Sequence, residues 1–177
     1  IGLKLFQDPF FLIKKHLIFL IIGILSAIII LPLNCTHLKK SAFIFYLFSL
    51  LLTLSTLIPG LGHKVGGATR WLLIGGISFQ PVEVLKLSLS ILWATFIYNK
   101  KCGMNHFKSG AAPLILITLP ALAILVLQPD FGNTMLICSI LLIVFFLRNI
   151  PLRHLLGLAI TCIVFGLISI AYKPYLL

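Results

Sequence analysis

The sequence predicts an all-α fold, a polytopic bundle of transmembrane helices, and three observations carry that expectation. Of 177 residues, 60% are hydrophobic and 10% are charged, with a mean hydropathy of +1.19. No soluble domain of this size has so little polar surface to cover its apolar groups. The apolar residues also gather into runs about long enough to cross roughly 30 Å of hydrocarbon. Finally, backbone groups in lipid must be satisfied internally, and no dyad alternation of a membrane barrel is present, so the runs are helices.

Six spans are expected, at about residues 17–33, 42–59, 81–98, 111–127, 131–147 and 155–172, within a single integral-membrane domain over 1–177. The opening IGLKLFQDPFF has no small-residue cleavage site and is no signal peptide. Alternating sides, one face receives residues 34–40, 99–110 and 148–154. These connections hold Lys39, Lys40, Lys100, Lys101, Lys108, Arg148 and Arg153, and no acid. The opposite face receives the segment before 17, the loop 60–80, the turn 128–130 and the end of the chain. Cations there are Lys4, Lys14, Lys15, Lys64, Arg70 and Lys173, beside Asp8 and Asp130. The cation bias assigns the first face to the cytoplasm and makes 60–80 an extracytoplasmic loop.

The net charge of +11 is read as a membrane signature, since short basic connections meet anionic lipid headgroups. The basic residues form no stripe on a soluble face, so nucleic acid is not expected as a partner. Cys35, Cys102, Cys138 and Cys162 have no metal or redox spacing and read as small apolar filler. No cofactor and no metal is expected: His63 lacks a second ligand at metal spacing, and no nucleotide or hydrolase motif is present.

Ionic residues concentrate between 62 and 86, where hydrocarbon would penalise them unless they line a wetted cavity or a working surface. In GHKVGGATRWLLIGGISFQP, the pairs Gly66-Gly67 and Gly75-Gly76 allow a tightly folded loop. Lys64 and Arg70 suit a phosphate or a lipid headgroup, Arg70 through its forked donors, and Trp71 suits the headgroup level. In FQPVEVLKL, Gln80 precedes Pro81 at a helix start and Glu83 sits in the first turn. Lys86 lies one turn further on nearly the same face, where it pairs with Glu83 as a structural neutralisation or as part of a site. In LQPDFGNTMLI, Asp130 stands where the next helix is capped, which alone would explain it. Two crossings separate Glu83 from Asp130, so both return to the same face. Arg70, Glu83, Lys86 and Asp130 are therefore expected at similar depth.

These motifs resemble the SEDS family of bacterial integral membrane proteins, which includes FtsW, RodA and SpoVE. GGATRWLLIGGISFQPVEVLKL is similar to the family's (N/K)GAxRW element followed by an aromatic-QPSE-xx-K element. QPDFGNTMLI is similar to its QPD(F/L)GT element, and PGLG and DPFFLIKKHLIFLIIG lean toward the FtsW branch. The resemblance covers essentially the whole chain. It implies a parent fold of about ten spans, each of about 20 apolar residues. The spans here would be its second to seventh, with YKPYLL entering the large extracytoplasmic loop.

The resemblance also implies a bacterial inner-membrane, multi-pass protein of cell division or cell shape. Its activity would be peptidoglycan glycosyl transfer, polymerising lipid II beside a class B penicillin-binding protein. Carried over by motif, Arg70, Glu83, Lys86 and Asp130 line or brace the substrate cavity. The family's catalytic aspartate lies in the later loop and has no match here, so the chain alone is expected to be inactive. A lipid II flippase and a non-catalytic transpeptidase scaffold are the alternatives. Three departures stand out: Gly66 for Asn or Lys, Val82 for the Ser of QPSE, and Asn133 for the Thr that follows QPDxG.

Overall fold

The computed structural model describes residues 11–30, 32, 34–65, 68–74, 77–99, 110–148 and 157. The expected span 155–172 and most of the connections 99–110 and 148–154 lie outside the described residues. Two compact units are present, Ile1–Lys40 and Ser41–Leu177. In the first, α1 (Phe11–Ile30) carries Lys14, Lys15 and His16 near its start and is apolar from there on, with Leu17 to Leu25 and Ile28 exposed where described. The next helix, α2 (Cys35–Ser55), starts behind Asn34, whose carbonyl accepts the His37 and Leu38 N–H groups. It therefore takes in Lys39 and Lys40, which the sequence pattern assigns to a connection. Lysine does not stop a helix; it limits only how much of the helix lies in hydrocarbon, and its long stem can carry the charge outward.

The second unit is built from α2, a small sheet and three further helices, α3 (Pro81–Asn99), α4 (Ala111–Leu127) and α5 (Phe131–Leu147). Its interior is apolar with small polar side chains set into it, and its outer surface is apolar too. Ser49, Thr53, Thr56, Ser88, Thr118, Gln128 and Thr134 are buried among the helices, whereas Ile44, Leu116 and Phe146 are about 70% exposed. Apolar side chains outside and small polar ones within suit hydrocarbon surroundings, where interhelical hydrogen bonds and close packing hold helices together. Among the described residues, α2 and α3 are each long and apolar enough to cross a membrane, and α4 and α5 are shorter apolar helices.

The interior shows how each helix is fixed. Leu85, Leu89 and Trp93 of α3 pack with Leu114, Ala121 and Leu125 of α4 and Ile137, Leu141 and Phe145 of α5. Ser49 of α2 and Ser88 of α3 share a hydrogen bond of 2.5 Å. Trp93 Nε1 donates to Thr118 Oγ1 at 3.1 Å, joining α3 to α4. The Tyr46 hydroxyl donates to the Ile117 carbonyl at 2.7 Å, joining α2 to α4. That carbonyl is one residue beyond the Leu116 carbonyl, which loses its ladder partner because Pro120 has no N–H.

The Gly-rich stretch that the sequence presents as a folded loop is a three-stranded antiparallel meander, β1 (Gly62–Val65), β2 (Ala68–Ile74) and β3 (Ile77–Phe79). Val65 pairs with Ala68 and Ile74 with Ile77, so each connection is one Gly-Gly pair, a composition suited to two-residue hairpins. The glycines 66, 67, 75 and 76 themselves lie outside the described residues. Entry to the sheet is sharp. Leu61 and Gly62 N–H groups bond the Ile58 carbonyl, with Pro59 next in line and Gly60 at φ +91°. That sequence suits a type II turn, in which the third residue needs a positive φ.

Gly62 then passes so close to the end of α2 that a Cβ on it would overlap the Thr56 backbone carbonyl. Gly62→Ala is therefore expected to lower the unfolding free energy in detergent by at least about 1–3 kcal/mol, the usual cost of forced overpacking. Gly23→Ala, in the interior of α1 where a Cβ meets no neighbour, is expected to leave it unchanged or raise it by up to about 1 kcal/mol, since alanine is the better helix former. Detergent-titrated unfolding followed by circular dichroism compares the two.

Candidate functional site

The site grows from three local decisions of the chain. The first is made by β2, whose pairing with β1 slips by one residue between His63 and Lys64, so that Arg70 has no partner on β1 and stands as the extra residue of a bulge. A bulge re-aims a side chain, and here, between the buried Ala68 and Leu72, it accompanies the turn of the Arg70 guanidinium toward the start of α5. The second is made at the start of α3. Pro81 occupies the first helical position and is buried, while the Gln80 carbonyl accepts the Glu83 N–H at 3.2 Å. Glu83 and Lys86 then sit one turn apart, and Lys86 Nζ donates to Glu83 Oε1 at 2.8 Å.

The third lies in the turn from α4 to α5. The Asp130 N–H reaches back over Pro129 to the Leu125 carbonyl at 2.9 Å, closing α4. The Asp130 side chain caps α5 by accepting the Asn133 N–H, and the Asp130 carbonyl accepts the Thr134 hydroxyl. The carboxylate is 2% exposed, so it needs a cation. Arg70 provides it from the sheet: Nη1 stands 3.5 Å from Asp130 Oδ1, and Nη2 donates to the Pro129 carbonyl at 2.5 Å. Both terminal nitrogens of Arg70 are thus committed to the QPD turn, and its Nε is buried without a partner among the described residues.

The two ion pairs are not separate. The Asn133 amide accepts from Lys86 Nζ at 3.1 Å and donates through Nδ2 to Asp130 Oδ2 at 2.7 Å. The chain Arg70–Asp130–Asn133–Lys86–Glu83 is therefore continuous across β2, α5 and α3. Its formal charges cancel. Exposure rises along it, from the sealed Asp130 to Lys86 at 16% and Glu83 at 58%.

The structure thus brings together Arg70, Glu83, Lys86 and Asp130 at one end of the bundle. Gln80 adjoins them through its backbone carbonyl. Lys64, on β1, pairs with Thr69 of β2, and its side chain lies outside the described residues. Trp71 is half-buried and stands opposite His63 in the sheet. Among the described residues no group of three histidine, cysteine or acidic side chains comes together to hold a metal.

Two residues play larger parts than the sequence pattern alone suggests. Asn133 is the joint between the ion pairs. Gln128 is 2% exposed and donates to the Thr53 carbonyl at 2.8 Å and to Thr56 Oγ1 at 2.6 Å, pinning the QPD turn to the end of α2. The signal for Gln128 was present: a primary amide at the end of an apolar run has four hydrogen-bonding positions to satisfy.

The profile of the FtsW/RodA/SpoVE family of cell cycle proteins matches residues 1–177. The chain belongs to this family. It is 28% identical over 170 residues to the probable peptidoglycan glycosyltransferase FtsW of Saccharophagus degradans, covering 96% of this chain and 44% of that protein. It is also similar to the crystal structure of the rod shape determining protein RodA of Thermus thermophilus. There the TM-score is 0.74 at 32% identity, over 89% of this chain and 51% of RodA. A chain of a peptidoglycan synthase complex, in a structure concerned with coordinating polymerisation and crosslinking, matches at TM-score 0.73 and 30% identity. That match covers 94% of this chain and 47% of the other. The chain thus spans about half the length of the relatives it matches, and its fold is the family's polytopic helical membrane fold.

The burial gradient sets distinct energetics at the two ends of the network. Arg70→Ala strands the Asp130 carboxylate and is expected to cost about 3 kcal/mol, the low end for breaking a buried pair because Arg70 is itself a quarter exposed. Glu83→Ala removes an exposed partner one turn away and is expected to cost less than about 1 kcal/mol. Unfolding free energies of the two variants in the same detergent read the contrast.

Proposed function

We propose that this chain is the substrate-headgroup part of a peptidoglycan glycosyltransferase that polymerises lipid II. It would sit as a multi-pass protein in the bacterial inner membrane beside a class B penicillin-binding protein. The observation that carries this reading is the neutralised network at one end of an apolar bundle, which runs from the buried Asp130 carboxylate, paired with Arg70, to the exposed Glu83 carboxylate, paired with Lys86. The family and the names of its relatives support the class of reaction.

In such a transfer an acceptor hydroxyl attacks the anomeric carbon of the donor, and undecaprenyl pyrophosphate leaves. Cations must meet the charge that develops on the leaving pyrophosphate, and a base must take the hydroxyl proton. Lys86 is the cation suited to the first task, because its ammonium lies at the open end of the network and its counter-ion Glu83 is exposed. Arg70 has both terminal nitrogens occupied and acts as the brace that fixes the sheet on the QPD turn. Asp130 caps α5, is paired with Arg70 and is 2% exposed, so it is sealed from an incoming hydroxyl and is not the base. The sheet would face the extracytoplasmic side, where the precursor headgroup is used.

Binding of lipid II to the protein purified in detergent tests this reading. Lys86→Ala is expected to weaken binding about tenfold, the loss of one charge-assisted contact. Equal affinity of wild type and variant would overturn the assignment of Lys86 as the headgroup cation.

A further inference from the structure

We propose that Asn133 is a positioning residue that holds the Lys86 ammonium in place for an anionic phosphate group, so that Glu83 acts as a displaceable internal counter-ion. The inference rests on the reading of Lys86 given above and names the residue that prepares it. Its basis is the two-sided use of one amide. Lysine offers only donors and an ionised carboxylate only acceptors, so the carbonyl of Asn133 must face Lys86 and its amino group must face Asp130. The Asn133 backbone N–H is bonded to the same Asp130 carboxylate, which fixes the residue at the first turn of α5. Asp130 is fixed in turn by Arg70.

Lys86 is consequently held from two sides, by a neutral carbonyl anchored to the buried brace and by the exposed Glu83 carboxylate. These partners differ in what they allow. An incoming phosphate can replace Glu83, which is 58% exposed and free to turn into water. It cannot easily replace Asn133, whose amide is tied to a sealed carboxylate. After exchange the ammonium would keep one protein partner and stay aimed at the ligand, and little side-chain entropy would remain to be lost on binding. The groups facing Lys86 Nζ are thus Glu83 from its own helix and Asn133 from α5. Neither changes its covalent state during exchange.

Threonine and valine differ in hydrogen bonding but hardly in shape, so substituting each for Asn133 separates the polar link from packing. In Asn133→Thr the new hydroxyl can accept from Lys86 while donating to Asp130; in Asn133→Val the side chain can do neither. With inorganic pyrophosphate as the probe and the detergent-purified protein in a calorimeter, Asn133→Val is expected to raise Kd about tenfold. Asn133→Thr is expected to stay within about threefold of wild type. In a Lys86→Ala background the difference between the two variants is expected to vanish, because Asn133 acts through Lys86. Glu83→Gln is expected to tighten pyrophosphate binding by about threefold, since a competing anion has gone. A persisting difference between Asn133→Thr and Asn133→Val without Lys86, or equal Kd for the two with Lys86 present, would overturn the role of Asn133. Weaker binding in Glu83→Gln would overturn the counter-ion role. Either result leaves the lipid II reading standing if Lys86→Ala still weakens lipid II binding, so the two failures are distinguishable.

Discussion

A carboxylate buried at the start of a helix has to be neutralised, and the way Asp130 is neutralised organises this protein's polar end. Its side chain caps α5 and its backbone closes α4, so it cannot move without undoing two helices. The Asn133 N–H groups offset part of the desolvation cost, and a cation brought to the carboxylate offsets more. That cation comes from a strand distant in sequence, and with it comes the whole small sheet. The meander between α2 and α3 is therefore more than a connector: the Arg70–Asp130 contact locks it onto the helix turn, and Gln128 locks the same turn to the end of α2.

The same logic explains why small polar side chains are set into an otherwise apolar interior. In hydrocarbon, burying apolar groups between helices gains little, because lipid tails are as apolar as leucine. Close packing of small residues and hydrogen bonds between helices take over. Ser49 with Ser88, Trp93 with Thr118, and Tyr46 with a carbonyl near Pro120 each join a different pair of helices. The Ser49, Ser88 and Thr118 hydroxyls also bond a carbonyl one turn back. A rigid bundle of this kind is a suitable mount for a site whose members sit on different helices.

How much of this the sequence displayed varies with the distance over which the physics acts. Long apolar runs announced the helices, because periodicity and length are local. Their ends were less visible: α2 begins at Cys35, since neither Lys39 nor Lys40 interrupts a helix. The sheet was only half legible. Its Gly-Gly pairs marked two turns, but β3 is three residues long and too short to show alternation, so the stretch read as a loop. Counting crossings put Glu83 and Asp130 on the same face, and they do stand at one end of the bundle. The joint between them was not legible, because nothing in the spacing of Lys86 and Asn133 says that α3 and α5 pack with those turns in register. Gln128 showed its need for partners but not their identity.

The polar end as a whole depends on the contact between strand β2 and the QPD turn, and a double-mutant cycle on Arg70 and Asp130 measures that contact directly. Unfolding free energies would be taken for wild type, Arg70→Ala, Asp130→Asn and the double variant in one detergent. A coupling energy of about 2 kcal/mol is expected, because neutralising Asp130 removes most of the harm done by losing Arg70. Strict additivity of the two single changes would contradict it.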